Sequence, residues 1–440
     1  MVYLIFLTLF ILIFISMIFN ISIIFPLFIG LLFFCLYSFK MGFSVKNILN
    51  MILNGGKKSF IVLKIFILIG AVMGVWLSSG VVPYIVYLGI RFMNPKLFLV
   101  YTFLISSIAS CLIGSAFGTV GTIGVSFIIL AKGAGVNTSL AAGAVLSGAF
   151  FGDRCSPMSS SANLVANLTD TKLYINIKNM IKSSIVPTFL TIIIYLVLSL
   201  NLNVTFKNER LINELKSQFI LTPYLLIPAA LIVVLSFFKV DVKKSMTLSI
   251  ISSILLDLFV QNRSLAETLK YMIVGFKIDN NNLVAQIIKG GGIISMLKIS
   301  VIVFLSSAYS GIFEETKMLQ KLEGDIKSLS QKIGDTSTTL LVSILASMIG
   351  FTQVLAVILT FQFVKGIYKD KYKLALDIEN SAIVIAPLIP WNIAYAVPAG
   401  IMGINDIFLL FAVYLYILPI YNLLKKKEVN YGSKQSLSRI

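Results

Sequence analysis

Histidine is absent from all 440 residues. A Ser-His-Asp triad, an imidazole-based zinc site and a histidine proton relay are therefore excluded. Cysteine is scarce. Cys35, Cys111 and Cys155 lie in or beside apolar stretches with no metal-ligand spacing, so we expect packing residues, with neither a disulfide framework nor a bound metal. Charge is scarce as well, at 12% of residues against 58% hydrophobic. No water-soluble protein hides that much apolar surface. Acid is the scarcest charge, with 18 Asp and Glu against 36 Lys and Arg and a net of +18. Such an excess invites a nucleic-acid partner, but the lysines cluster in loops between apolar runs. They record membrane topology and attraction to an anionic inner leaflet, so the lipid bilayer is the expected surroundings and no nucleic acid is expected.

What the chain has is long uncharged runs, measured against a bilayer core that takes roughly 20 residues of helix. The stretch before Lys40 reads as two helices, about 3–18 and 22–38, parted by Asn20, Ser22 and Pro26. It has no basic leader region and no small-residue cleavage pattern, so a cleavable signal peptide is not expected. Further runs follow to residue 424, with polar connections near 207–216, 262–290 and 314–335 too short for a soluble domain. The runs 97–131 and 336–364 would each form a helix of roughly 45–50 Å, too long for one upright crossing and too short for two. Each is interrupted, by Gly114, Gly118, Gly121 and Gly124 in the first and by Gly350 to Gln353 in the second. The fold class expected is an all-α polytopic membrane protein with about ten transmembrane helices plus two re-entrant or broken-helix hairpins.

The second half echoes the first. Leu63-Lys64-Ile65-Phe66 returns as Leu297-Lys298-Ile299-Ser300, Gly118-Thr119-Val120-Gly121 as Gly350-Phe351-Thr352-Gln353, and the stretch from Gly152 to Asn163 as that from Glu379 to Asn392, at offsets between 227 and 234 residues. The lysines of the loops at 40–58, 172–182 and 239–244 and of the tail Lys425-Lys426-Lys427 mark the cytoplasmic side. Threading the helices through these marks inverts the second unit relative to the first. We therefore expect two inverted repeats, 1–200 and 217–424, a cytoplasmic basic tail at 425–440, both termini cytoplasmic, and residence in the inner (plasma) membrane. The sequence leaves a homodimer open.

Inverted-repeat transporters bind their substrates where corresponding helices are broken near the midplane. In the first half, Asp153, Arg154, Ser156, Pro157, Ser159, Ser160, Ser161 and Asn163 sit in an otherwise apolar segment, at a cost of several kcal/mol unless partnered. In the second, Glu379, Asn380 and Ser381 precede Pro387-Leu388-Ile389-Pro390-Trp391-Asn392, whose prolines free carbonyl oxygens that suit a hard cation such as sodium. The candidate ion or substrate residues are Asp153, Arg154, Ser156, Ser159, Ser160, Asn163, Thr119, Thr122, Gln353, Glu379, Asn380, Ser381 and Asn392, with Asp153, Asn163 and Asn392 as sodium ligands. Blander readings stand beside these. Asp153 and Arg154 could be a structural ion pair at a helix end, Ser159 to Ser161 could let helices approach closely, and the glycines from 114 to 124 suit packing better than ligation. Asp257 sits near the outer end of its helix, where a carboxylate can snorkel to water; Glu314 and Glu315 read as interface charges.

With those residues in view, the chain resembles the NhaC family of sodium/proton antiporters, from about residue 40 to 424. The resemblance rests on Gly118-Thr119-Val120-Gly121-Thr122-Ile123-Gly124, on Gly143 to Gly152 leading into Asp153-Arg154-Cys155-Ser156-Pro157-Met158-Ser159, on Asn163-Leu164, on Gln353 to Gln362, and on Pro387 to Asn392. It implies secondary transport of small ions, with sodium and protons as coupling ions, no cofactor and no enzymatic activity. The chain departs from the family pattern twice, carrying Ser160 where a second acid is usual and Asn380 where a Glu-Asp pair is usual. The mechanism expected is alternating access, with Asp153 holding a cation and a proton in turn and Ser156, Ser159, Ser160, Asn163 and Asn392 supplying neutral oxygens. The alternative is a sodium- or proton-coupled carrier of a small organic solute, an amino acid or carboxylate, gripped by Arg154.

Overall fold

A computed structural model describes residues 2–19, 21–22, 24–202, 209–238, 240–278, 283–316, 323–404 and 406–424. The expected basic tail at 425–440, and Lys239, lie outside the described residues. Within them the chain is all-helical apart from one antiparallel bridge between Phe276 and Gly290. The first half runs through α1 (Val2–Ile18), α2 (Ile24–Lys40), α3 (Val45–Lys58), α4 (Phe60–Ser78), α5 (Val81–Phe92), α6 (Phe98–Ile113), α7 (Ala116–Thr119), α8 (Val125–Ala134), α9 (Thr138–Cys155), α10 (Ser160–Leu168) and α11 (Leu173–Leu200). The second runs through α12 (Glu209–Gln218), α13 (Ile227–Phe237), α14 (Val242–Phe259), α15 (Leu265–Val274), α16 (Leu283–Ile287), α17 (Leu297–Thr316), α18 (Glu323–Ile333), α19 (Asp335–Gly350), α20 (Gln353–Val364), α21 (Lys371–Glu379), α22 (Ala382–Ile385), α23 (Ile393–Met402) and α24 (Val413–Leu424).

Among the described residues, four helical segments are long and apolar enough to cross a membrane, or up to seven if each of three bent pairs is one span. The bends are 64° between α4 and α5, 92° between α12 and the segment leading into α13, and 49° between α21–α22 and α23. Both awkward runs are broken where expected. Gly114 takes a left-handed conformation (φ 69°) and Ser115 caps α7, while Phe351 takes the same conformation (φ 55°) and Thr352 caps α20. The pieces of the first run are longer than the uncharged stretch suggested. Pro95–Ile113 and Ala116–Ala134 have 19 residues each, because Pro95, Lys96 and Lys132 to Ala134 continue the helices past the charges that bounded the run.

The most extensive helix pair is α6 with α9. Gly148 and Gly152 of α9 make it close: a Cβ on Gly152 would run into Ser110 and the Cys111 amide of α6, and one on Gly148 into Phe103 to Ser107. Small residues let backbones approach in a membrane, where dispersion replaces the hydrophobic drive. The N-terminal hairpin α1–α2 leans on the second half, with the Tyr309 hydroxyl donating to the Leu27 carbonyl and Phe10 5.4 Å from Trp391 between ring centroids.

Asp257 does not snorkel. Its side chain is sealed from solvent, accepting from Ser78 Oγ at 2.7 Å and Thr268 Oγ1 at 3.0 Å and pairing with Arg263 at 3.3 Å. The α4–α5 bend and α15 enclose this carboxylate, which is why a position near a helix end is dry. Glu315 is exposed, while the side chain of Glu314 lies outside the described residues.

Replacing Gly152 with leucine overpacks the α6–α9 contact and should lower stability by about 1–3 kcal/mol or more. The thermal midpoint in detergent should fall for Gly152→Leu and stay put for Gly366→Ala, where nothing lies within 4 Å of the added carbon.

Candidate functional site: a carboxylate pair at two helix breaks

α9 ends at Cys155 because Ser156 precedes a proline and turns extended (ψ 133°), and Pro157 has no N–H to continue the ladder. Ser156 fastens this corner to α6, its hydroxyl donating to the Cys111 carbonyl at 2.6 Å. Ser159 then caps α10, accepting from the Ser161 and Ala162 amides at 3.1 and 3.4 Å.

Asp153, half a turn before the end of α9, is buried against this cap. Ser159 Oγ donates to its Oδ1 at 3.0 Å and Ser161 Oγ to its Oδ2 at 3.1 Å, the two hydroxyls lying 2.7 Å apart. The backbone N–H of Ala116, first residue of α7, lies close enough to act on its charge. The carboxylate thus faces the amino ends of two helical segments, whose exposed N–H groups favour negative charge.

Arg154 makes no ion pair with Asp153 among the described residues. Successive helical residues point about 100° apart, and the guanidinium, with no exposed surface, turns to α11, α24 and the second break. Its Nη1 donates to Ser184 Oγ (2.5 Å) and the Tyr414 hydroxyl (2.9 Å), and its Nη2 to Ser183 Oγ (2.9 Å), the Met180 carbonyl (3.3 Å) and Asn380 Oδ1.

The second break follows Glu379. Glu379 and Asn380 have no exposed surface; both Glu379 carboxylate oxygens, Asn380 Nδ2 and Arg154 Nε have no hydrogen-bond partner among the described residues. Glu379 lies within electrostatic reach of Arg154 and Asp153. The structure thus brings together Asp153, Arg154, Ser159, Glu379 and Asn380 from the sequence candidates.

Other candidates go elsewhere. Ser160 is exposed; so is Asn163, whose amide donates to the Pro157 and Ser159 carbonyls at 3.2 and 2.7 Å. Thr119 and Thr122 bond within their own helix, to Ser115 and Gly118 carbonyls at 2.9 and 2.7 Å. Gln353 Nε2 donates to the Ile383 carbonyl at 3.2 Å, the oxygen that Pro387 would otherwise leave without its helical donor. Ser381 bonds to the Asp377 carbonyl and Ser343, at 2.6 and 2.8 Å. Asn392 caps α23 and its amide holds the Ser347 carbonyl of α19 at 2.9 Å. Sequence reasoning missed Ser161 as a donor to Asp153, because nothing in a run of three serines says which of them caps the helix. It also missed Asp377, a buried acid accepting from Thr336, Tyr368 and Asn422 at 2.8, 2.7 and 3.0 Å.

A family model described as the Na+/H+ antiporter family matches residues 1–162 and 148–424. The chain belongs to the Na+/H+ antiporter family. Similar curated proteins include the Na(+)/H(+) antiporter NhaC of Bacillus subtilis (strain 168), 30% identical over 91% of this chain and 91% of the relative. The Malate-2H(+)/Na(+)-lactate antiporter of the same organism is 30% identical over 84% and 81%. The Na(+)/H(+) antiporter NhaC of Alkalihalophilus pseudofirmus is 29% identical over 85% and 83%. An antiporter of this family is a multi-pass membrane protein, and its relatives are transporters, not enzymes.

In this antiporter, Ser161→Ala removes a hydrogen bond to a charged group, a loss of about 1.5–3 kcal/mol. The sodium concentration for half-maximal exchange should rise about 10-fold or more for Ser161→Ala and stay within about 2-fold for Ser160→Ala, whose side chain is exposed.

Proposed function

We propose that this sodium/proton antiporter works by alternating access, with Asp153 and Glu379 as the carboxylates that hold cation and proton in turn. The observation that carries the reading is Glu379, a carboxylate with no exposed surface and no hydrogen-bond partner for either oxygen, within reach of Asp153 and Arg154. Ionised and unmatched, such a group costs several kcal/mol in a dry interior. A sodium ion or a proton each removes that cost, and the same oxygens cannot serve both at once, which is the chemical content of exchange. Asp153, carrying two hydroxyl donors, adds hard oxygen ligands beside Glu379. No cofactor enters this scheme; the coupling ions do the work.

Two inverted repeats, 1–200 and 217–424, with about ten crossings and two broken hairpins, would supply the motion. The support is a match of backbone detail. A left-handed residue followed by a capping hydroxyl opens the second piece of both broken runs, Gly114-Ser115 and Phe351-Thr352. Capping residues Ser159 and Asn392 start the helices after both polar breaks. The lysines at 40–58, 172–182 and 365–373, which lie largely on α3, on α11 and in the stretch leading into α21, would face the cytoplasm in this arrangement. Asn163 and Asn392 would then act as supports of the breaks, with ligation left to the carboxylates and the Ser159 and Ser161 hydroxyls.

An organic-solute carrier on the same fold would need Arg154 free to grip a carboxylate with both terminal nitrogens. Both are engaged by Ser183, Ser184, Tyr414, Asn380 and the Met180 carbonyl. One relative is named for malate and lactate, yet this guanidinium favours the ion reading.

Sodium-dependent proton movement in everted membrane vesicles tests the function. Wild-type protein should dissipate an imposed pH gradient on sodium addition, and Asp153→Asn and Glu379→Gln should each cut the rate about 100-fold or more, the scale expected for losing a charged ligand. A flat wild-type response at every pH, with insertion verified, ends the antiporter reading; full activity in both variants moves the site elsewhere.

A further inference from the structure

The charge balance of the two breaks limits how many ions one turnover can carry. Three formal charges meet there among the described residues, Asp153, Glu379 and Arg154, with Glu379 in reach of the other two. The other titratable groups facing them are Cys111, Cys155 and Tyr414, thiols and a phenol that are neutral at about pH 7. Asp377, two residues before Glu379, belongs to a separate set, held by Thr336, Tyr368 and Asn422 with Lys373 as its nearby positive charge. Asn380 is an amide at the position whose oxygen meets the guanidinium. Arginine does not give up its proton in a protein, so the cluster holds two titratable negative charges and one permanent positive charge.

Building on the sodium/proton reading above, we propose that the cluster takes one monovalent cation or one proton per turnover, so that exchange is one for one and electroneutral. A single monovalent guest brings the cluster to zero. Two, or one divalent ion, would leave it positive, just as the unloaded cluster is negative, and an uncompensated charge in a dry interior costs several kcal/mol. The forms that pass between the two access states are therefore the neutral ones. Arg154 is fixed as the resident counter-charge because α11, α24 and Asn380 occupy both of its terminal nitrogens. It offsets one carboxylate permanently and leaves the guest to offset the other.

The test uses wild-type protein in proteoliposomes, with a pH-sensitive dye inside and a potassium gradient with valinomycin to set the membrane potential. We expect sodium-driven proton movement that stops when the sodium ratio equals the proton ratio, whatever the potential. No sustained sodium-activated current should appear on a supported membrane, and neither calcium nor magnesium should replace sodium. Two charges exchanged for one would shift the equilibrium sodium ratio about 50-fold per 100 mV; such a shift, or a steady current, overturns the proposal while leaving the antiporter reading intact. No sodium-driven proton movement at all, with insertion verified, overturns both. Asn380→Asp is the second arm. A third carboxylate against Arg154 makes the unloaded cluster doubly negative, so two monovalent guests or one divalent ion now bring it to zero. The variant's rate should rise sigmoidally with sodium, and calcium should become able to drive proton movement. An active variant with wild-type sodium dependence and no response to calcium overturns the charge count.

Discussion

A guanidinium cut off from water organises the centre of this molecule. Arg154 has no exposed surface, and its partners are neutral groups drawn from α11, α24 and the break after α21. A hydrogen bond to a charged group contributes about 1.5–3 kcal/mol, so these elements are held to one another by the bonds they give the guanidinium. The bond from Arg154 to Asn380 has a geometric effect as well. Each of these residues directly follows a carboxylate in the chain, Asp153 and Glu379. Tying the two followers together draws the two acids into electrostatic reach of each other across the breaks. Neither acid needs to bond to the other, and the charge that brings them close also offsets part of their repulsion.

The parts of this arrangement that were legible in the sequence are those written in backbone chemistry. Ser156-Pro157 stops α9, Pro387 and Pro390 break the second half, and the runs 97–131 and 336–364 break where length and glycine or polar residues demanded it. Membership of a polytopic transporter family was readable from the same motifs. What was not legible depended on rotation about a helix axis and on contacts across long sequence separations. Among three consecutive serines, the cap at Ser159 fixes the phase of α10, turning Ser161 to Asp153 and Ser160 outward. A run of identical residues gives no hint of that phase. Arg154 lies beside Asp153 in sequence and invited a pairing, but helical geometry sends it toward residues 180–184 and 414 instead. Gln353, a candidate ligand, turned out to serve a carbonyl that Pro387 deprives of its donor. That role is readable only after both positions are known in space.

Two further acids were read from their place along the chain, or passed over, and the fold changes their meaning. Asp257 near a helix end is dry because α15 and the α4–α5 bend close over it, with Arg263 set among the rings of Phe219, Tyr271 and Phe276. Asp377 collects donors from the start of α19, from the segment after α20 and from α24. Both are fully served by partners, and Asp153 is nearly so. Glu379 differs from all three in having none for either oxygen, and this contrast among buried carboxylates is the clearest chemical signal in the structure.

The two left-handed corners are alike in backbone but unlike in their surroundings. At Gly114 the conformation costs little, since glycine has no Cβ to clash. At Phe351 a bulky residue holds the same conformation, which is strained, and its ring lies 4.3 Å from that of Tyr309. Tyr309 in turn bonds the Leu27 carbonyl on α2. The second corner is therefore tethered through one tyrosine to the N-terminal hairpin, while the first packs directly against the Met158 backbone, where only a glycine fits. The two corners thus share a backbone conformation but differ in what holds them, one closed by a neighbouring backbone in its own half and the other strained and braced by a ring stack that reaches the first helices of the chain.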